Sequence, residues 1–152
     1  MAALYRFARA AVARNHGIID TFAGDALLAT CNASGTRVDH AAEALEAALA
    51  LRDKARLIDL DLGIGIAVGS AVLSPGASDA NVAVRGESTN LAARLQAAAA
   101  GGEILLSDEG HRRVERRLED LDLPVTREEL DLKGIDGLAI AFRIASPVAA
   151  GA

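Results

Sequence analysis

Residues 85–107 decide the fold and read RGESTNLAARLQAAAAGGEILLS. Leu91 and Leu95 lie four residues apart, which is the spacing of one face of an amphipathic helix. The two glycines that follow the alanine run are typical of a helix end, because glycine readily adopts the left-handed conformation found there. The apolar residues after them favour a buried strand. The sequence therefore predicts a helix over 87–100 followed directly by a strand over 103–106.

The rest of the chain alternates irregularly between helical and β-prone patterns, without internal repeats. A hairpin is indicated by two short β-prone runs that flank a turn sequence containing Gly and Asp. The predicted elements are helices over 3–15 and 39–56, a helix capped by Ser107-Asp108-Glu109 with a solvated continuation, strands over 17–22, 26–31, 60–68, 130–133 and 138–144, and a loop over 74–82. This order predicts an α+β class with helices packed on a mixed sheet.

The run over 60–68 alternates large apolar residues with small or acidic ones, as a strand does. Its second face carries Gly63, Gly65 and Ala67 and is nearly bare of side chains. We expect a helix or another chain to approach this face closely. The glycines do not form a phosphate-binding loop, because no helix follows them directly.

Composition excludes several classes of protein. The chain has 152 residues, 51% hydrophobic and 24% charged, which is typical of one soluble globular domain. A net charge of −5 argues against a nucleic-acid partner. Cys31 is the only cysteine, so no internal disulfide forms. No apolar run approaches the roughly 18 residues of a membrane span. We therefore expect a cytoplasmic domain without a membrane segment.

Three places carry residues suited to chemistry. Asp25 follows a glycine in the hairpin turn, where a carboxylate could bind a hard cation or simply form a turn. Asn90 and Arg94 share one helix face and could orient a ribose and stabilise charge on phosphorus, or could be a solvated face. Lys133 precedes Gly134 and could reach a polyphosphate, or could be a surface lysine before a turn. Each alternative stays open at this point.

The order of four segments carries more information than any of them alone. They are HGIIDTFAGDALLAT (16–30), LGIGIAVG (62–69), RGESTNLAARLQAAAAGGEILLS (85–107) and LDLKGI (130–135). In this order the sequence resembles the class III adenylate/guanylate cyclase catalytic domain over about residues 5–144. The resemblance implies a ferredoxin-like cyclase homology fold. We expect this domain to cover residues 1–145, incomplete at its N-terminus, with a disordered tail over 146–152.

The resemblance also implies roles for individual residues. Asp25 matches the second of two metal-binding aspartates, which hold Mg²⁺ or Mn²⁺ in the family. Asn90 matches the asparagine that orients the ribose, and Arg94 matches the arginine that stabilises the transition state. Lys133 matches the lysine that holds the triphosphate. The implied reaction is attack of the ribose 3′-hydroxyl on the α-phosphorus, with release of pyrophosphate, at a site shared by two chains of a head-to-tail homodimer or by paired cyclase domains.

The sequence departs from the family pattern in two respects. The family's first strand, with its metal-binding aspartate, has no counterpart after Met1, so we expect the chain as given to be N-terminally truncated and inactive or weak. Thr21 and Ala83 occupy the positions that select the base, and alanine can make no side-chain hydrogen bond to a purine. We expect relaxed discrimination, with ATP favoured over GTP.

Two functional hypotheses follow from these observations. The first is a nucleotide cyclase domain that converts ATP, or less favourably GTP, to the 3′,5′-cyclic monophosphate in cyclic-nucleotide signalling. The second is a catalytically inactive pseudo-cyclase that acts as a dimerisation or regulatory module. The preserved Asn90, Arg94, Lys133 and Asp25 favour the first, whereas the missing strand and the altered base-selecting positions favour the second.

Overall fold

The computed structural model describes residues 2–23, 26–31, 39–69, 72–75, 82–85 and 87–145. Its helices are α1 (Ala2–Arg14), α2 (His40–Leu57), α3 (Glu87–Ala98) and α4 (Asp108–Asp120). Its strands are β1 (Gly17–Ala23), β2 (Ala26–Cys31), β3 (Ile64–Ile66), β4 (Val72–Pro75), β5 (Val82–Arg85), β6 (Ile104–Ser107), β7 (Val125–Asp131) and β8 (Leu138–Ile144). Within these ranges, no helix is both long enough and apolar enough to cross a membrane.

A four-stranded mixed sheet in the order β3-β6-β8-β7 organises the domain. β3 runs parallel to β6, whereas β8 is antiparallel to both β6 and β7. β1 and β2 form a separate antiparallel hairpin, and β4 pairs with β5 in the same way. The predicted α+β class with a mixed sheet and packed helices is confirmed.

Alternation along β6 divides the core into two layers. Ile104 and Leu106 pack with buried residues of α2 and α4 on one face of the sheet. Leu105 points to the other face and packs with Leu95 of α3. All three β6 residues are fully buried, as expected for a central strand that is covered on both sides. On the α2 side, α1 packs through small residues such as Ala8 and Ala11.

The bare face predicted around residues 60–68 is the place where α3 packs. A Cβ atom built on Gly65 would lie 2.3 Å from the carbonyl oxygen of Ala92 and 2.5 Å from the amide nitrogen of Gln96. The backbone of α3 therefore rests directly on the strand, which confirms the prediction of a close approach by a helix. The strand is shorter than predicted and covers only Ile64–Ile66, because residues 60–63 lie outside the ladder with β6.

Two predictions of strands and loops were wrong. The loop predicted over 74–82 is contradicted at its two ends, since β4 and β5 pair from Val72 opposite Arg85 to Pro75 opposite Val82, and residues 76–81 lie outside the described residues. The strand predicted over 130–133 lies instead over Val125–Asp131. β7 is an edge strand rich in charged residues, so the apolar alternation that reveals a half-buried strand is weak in it. The predicted tail over 146–152 lies outside the described residues.

Candidate active site

α3 presents the first two candidate residues on its solvent side. Asn90 and Arg94 are both exposed, whereas Leu95 is completely buried against the sheet. The close contact of the helix with Gly65 leaves little space between the helix and the strand below it. The sequence prediction that Asn90 and Arg94 share one accessible helix face is therefore confirmed as to placement; their chemical roles stay predictions.

A tight turn presents the third candidate, Lys133. The amide of Ile135 donates to the carbonyl oxygen of Leu132 at 3.1 Å, and Gly134 has a φ of +80°. A positive φ at the third residue is typical of a type II turn, in which Lys133 takes the second position. Leu132 is buried, and Lys133 is exposed. The buried neighbour anchors the turn while the lysine projects from it.

Buried side chains bring the turn to α3. Leu132 packs in the same cluster as Leu95, with Leu91 and Ile135 at its margin. Asn90 and Gly134 also line one common cleft. Residues from α3 and from the β7–β8 connection, far apart in the sequence, thus meet at one surface of the domain.

The cleft beside Asn90 has a volume of about 610 Å³. One wall is Asn90 and Leu91 of α3, and the turn after Lys133 contributes Asp136. The first turn of α4 forms the opposite wall, with Asp108, Glu109 and Arg112 at the cleft. The side chains that line the cleft therefore include three carboxylates and one guanidinium, so their net charge is negative.

α4 is fixed at the cleft by Ser107. The Ser107 hydroxyl oxygen accepts a hydrogen bond from the amide of Gly110 at 3.0 Å, which confirms the predicted helix cap. The amide of Val68 lies 3.4 Å from the same oxygen and links the chain after β3 to the helix start. Arg112 donates to Asp108 at 2.6 Å, and this hydrogen bond raises the pKa of Arg112. Sequence reasoning missed this wall, because it treated the basic run in α4 as a solvated face.

The strands that carry Thr21 and Ala83 lie in contact. Thr21 is paired with Leu28 in the hairpin, and Ala83 lies on β5, which contacts β1. The register shifts between Ile19 and Thr21, so Asp20 has no direct partner on β2. The structure therefore brings the backbones of these two strands together, and the role of Thr21 and Ala83 in base selection stays a prediction.

No metal site is complete in the described part of the chain. Among those residues, no group of three or more His, Cys, Asp or Glu side chains could hold a metal ion. Asp25, the predicted metal ligand, lies outside the described residues. Metal binding by Asp25 stays a prediction. Cys31 offers no reactive alternative, because burial and the nearby Glu43 raise its pKa to about 11.

Residues 3–145 match the profile of the adenylate and guanylate cyclase catalytic domain, which covers nearly the whole chain. The chain belongs to the adenylate/guanylate cyclase catalytic domain family. Among curated protein sequences, none matches this cyclase domain.

Solved cyclase structures share the fold of this cyclase domain. An adenylate/guanylate cyclase/hydrolase from Silicibacter pomeroyi is 26% identical, with a TM-score of 0.73 over 94% of this chain and 80% of its own. The adenylyl cyclase CyaB from P. aeruginosa is 20% identical, with a TM-score of 0.77 over 94% and 80%. The guanylate cyclase domain of RhGC from Catenaria anguillulae, in complex with GTP, is 17% identical, with a TM-score of 0.74 over 95% and 80%. The predicted cyclase homology fold is therefore confirmed.

Proposed function

We propose that this cyclase domain supplies Asn90, Arg94 and Lys133 to a site that converts a nucleoside triphosphate to its 3′,5′-cyclic monophosphate and pyrophosphate. The observation that carries the proposal is the packing of Leu132 with Leu95, since it sets the lysine turn beside the helix that bears Asn90 and Arg94. The proposed domain extends over residues 1–145.

Asn90 is assigned to the ribose. Its amide has both donor and acceptor atoms, as a sugar hydroxyl and ring oxygen require. It lines the cleft together with Leu91, which offers an apolar surface beside it. Holding the ribose fixes the direction from which the 3′-hydroxyl attacks the α-phosphorus, and such orientation lowers the entropic part of the barrier.

Arg94 is assigned to the negative charge that develops on the α-phosphate. Its side chain is exposed, and it forms no ion pair with any residue that the structure describes. A guanidinium can donate two parallel hydrogen bonds to phosphate oxygens. Its position on a helix that is packed tightly against Gly65 favours a preorganised donor, and preorganised donors stabilise transition-state charge most strongly.

Lys133 is assigned to the β- and γ-phosphates. The ammonium group is a mobile point charge, which suits a polyphosphate whose oxygens it can reach in several geometries. The turn that carries it is anchored by Leu132 at one side, so the lysine is held near the substrate site before substrate binds. The ammonium group also offsets the negative charge that develops on the departing pyrophosphate, which lowers the barrier to breaking its bond to the α-phosphorus.

The proposed assembly is a homodimer or a pair of cyclase domains. A second copy of this chain would supply Asp25 toward Mg²⁺ or Mn²⁺, whereas a paired cyclase domain would supply both metal-binding aspartates. This chain would supply the asparagine, arginine and lysine. One solved relative is described as a non-canonical dimeric guanylyl cyclase domain, which supports pairing of such domains but not a particular arrangement of the pair. ATP is the favoured substrate over GTP in this proposal, although relatives are described in complex with ATPαS and with GTP.

Complementation by a second domain tests the proposal. The partner is a cyclase domain that keeps both metal-binding aspartates but has alanine in place of its own catalytic asparagine and arginine. With Mn²⁺ and ATP or GTP, we expect little product from either chain alone and a clear rise in cyclic nucleotide when they are mixed. A mixture that forms a stable dimer but no product would contradict the proposal and support the pseudo-cyclase alternative.

A further inference from the structure

We infer that Arg143, held between Glu128 and Glu103, is a positioning residue for the helix that carries Asn90 and Arg94. The Nε and Nη2 atoms of Arg143 donate to the two carboxylate oxygens of Glu128. Its Nη1 atom donates to Oε1 of Glu103. All three guanidinium nitrogens are therefore engaged by two carboxylates, one on β7 and one in the connection that precedes β6. The inference rests on the proposed function, because positioning matters only if α3 takes part in the reaction.

Glu103 connects this network to the end of α3. Its Oε1 atom accepts a hydrogen bond from the backbone amide of Ala100 at 2.8 Å, two residues beyond the last residue of the helix. Its backbone oxygen accepts from the amide of Ile64 at 3.1 Å. One residue thus ties the α3–β6 connection to β3 through its backbone and to β8 through its side chain.

The network lies on the sheet face that α3 covers. Arg143 is the direct cross-strand partner of Leu105, so their side chains share one face of the sheet, and Leu105 packs with Leu95 of the helix. The side chains of Arg143, Glu103 and Glu128 are 22%, 19% and 29% exposed. Partial burial and bidentate geometry make such a network stronger than an ordinary surface ion pair.

The contact of the helix with β3 is smooth, so restraint along the helix axis comes from Leu95 packed with Leu105 and from the Glu103 carboxylate. Gly65 and Gly63 face the α3 backbone and its C-terminal extension, so no Cβ atom at these two positions fills a groove of the helix. A smooth contact restrains the distance between helix and strand better than it restrains sliding along the helix axis. The Glu103 carboxylate adds a polar restraint at the C-terminal end of the helix. Displacement of a catalytic group by about 1 Å can lower a rate by about 100-fold.

Glu128→Gln tests the inference with a neighbouring control. This change keeps the shape of the side chain and removes the charge that engages Arg143. The control is Glu129→Gln, one residue along β7, whose partner Arg127 lies 3.5 Å away at the surface. In the complementation assay we expect Glu128→Gln to lower kcat about fivefold, with KM nearly unchanged, since the glutamine amide can accept only one of the two hydrogen bonds that Arg143 donates to Glu128. Glu129→Gln should leave both constants unchanged.

Hydrogen exchange gives a readout that does not depend on activity. Amides of Ala97, Ala98 and Ala100 should exchange about fivefold faster in Glu128→Gln than in wild type, and at the wild-type rate in Glu129→Gln. Arg143→Lys, which keeps the charge but loses the bidentate contact, should fall between wild type and Glu128→Gln. Unchanged exchange at these amides, or a lower melting temperature with unchanged kcat, would overturn the inference. If Glu128→Gln exchanges faster but the wild-type mixture forms no cyclic nucleotide, the role of Arg143 in anchoring the helix stands and the proposed function is refuted.

Discussion

Gly65 and Ala92 lie so close that a single methyl group between them would clash. A Cβ atom on Gly65 would come within 2.3 Å of the Ala92 carbonyl oxygen, which belongs to helix backbone and cannot rotate away. The helix that presents Asn90 and Arg94 is therefore positioned by the absence of a side chain on the strand below it. The height of the candidate catalytic residues above the sheet follows from this contact.

Gly65→Ala should destabilise the domain strongly. Forcing the helix away from the strand is overpacking against backbone, and we expect a loss of about 2–3 kcal/mol in the free energy of unfolding. The control is Gly69→Ala, whose added Cβ would meet the side chain of Ser88, with the nearest atom at 3.1 Å, rather than helix backbone. Urea denaturation measures both variants. Equal stabilities for the two would show that the helix does not rest on Gly65 as described.

Gly134→Ala should raise the KM for the nucleoside triphosphate. Gly134 has a φ of +80°, and an added Cβ atom would meet no described atom within 4 Å, so the cost of alanine is purely conformational. We expect about 1 kcal/mol of lost stability and a shifted Lys133. Gly137→Ala is the matched control, since its φ is +70° and its surroundings are equally open. Similar stability losses with a higher KM only in Gly134→Ala would agree with the assignment of Lys133; equal KM values would contradict it.

Arg112→Ala should weaken nucleotide binding, whereas Arg113→Ala should not. Both arginines form ion pairs with Glu109, but only Arg112 lines the cleft and also pairs with Asp108 there. Removal of Arg112 leaves the cleft more negative, which disfavours a substrate that carries a triphosphate. Steady-state kinetics at low salt should show a KM increase of about threefold for Arg112→Ala. An equal effect of both substitutions would indicate a general charge effect rather than a role of the cleft.

Cys31 should react slowly with alkylating reagents in the folded protein. Burial raises its pKa to about 11 from 9.0, so little thiolate is present at pH 8. The folded state thus favours the protonated thiol. The contribution of this thiol to the free energy of unfolding is therefore fully present below pH 9 and is lost as the pH rises toward 11. Iodoacetamide labelling from about pH 8 to pH 11, with urea-unfolded protein as reference, checks the shift. Equal rates for folded and unfolded protein at the lower pH would refute it.

The parts of the fold that could be predicted from sequence have strong periodic patterns. α3 combines an apolar stripe with a glycine signal at its end, and both α3 and α2 lie where the sequence placed them within a few residues. β7 escaped detection because its sequence VTREELD places charged residues on both faces of an edge strand. β4 was partly hidden because proline and glycine at its end favour a loop.

The site was only half predictable for a similar reason. The positions of Asn90, Arg94 and Lys133 could be read from spacing and turn residues within short segments. The cleft depends on contacts between α3, α4 and the turn after Lys133, and no local pattern reports such contacts. Asp108 and Arg112 have the spacing of an ordinary surface ion pair on a helix, so only the folded chain shows that they line the same cleft as Asn90.

Cyclic nucleotide formation by Arg94→Ala in the complementation assay tests the central claim most directly. Gln96→Ala is the control, since Gln96 is exposed on the same helix and is assigned no role in the reaction. We predict that Arg94→Ala lowers the rate at least about 100-fold, as expected for the loss of a donor to transition-state charge, while Gln96→Ala keeps the wild-type rate. Wild-type activity in Arg94→Ala would contradict the assignment of α3 as the catalytic helix.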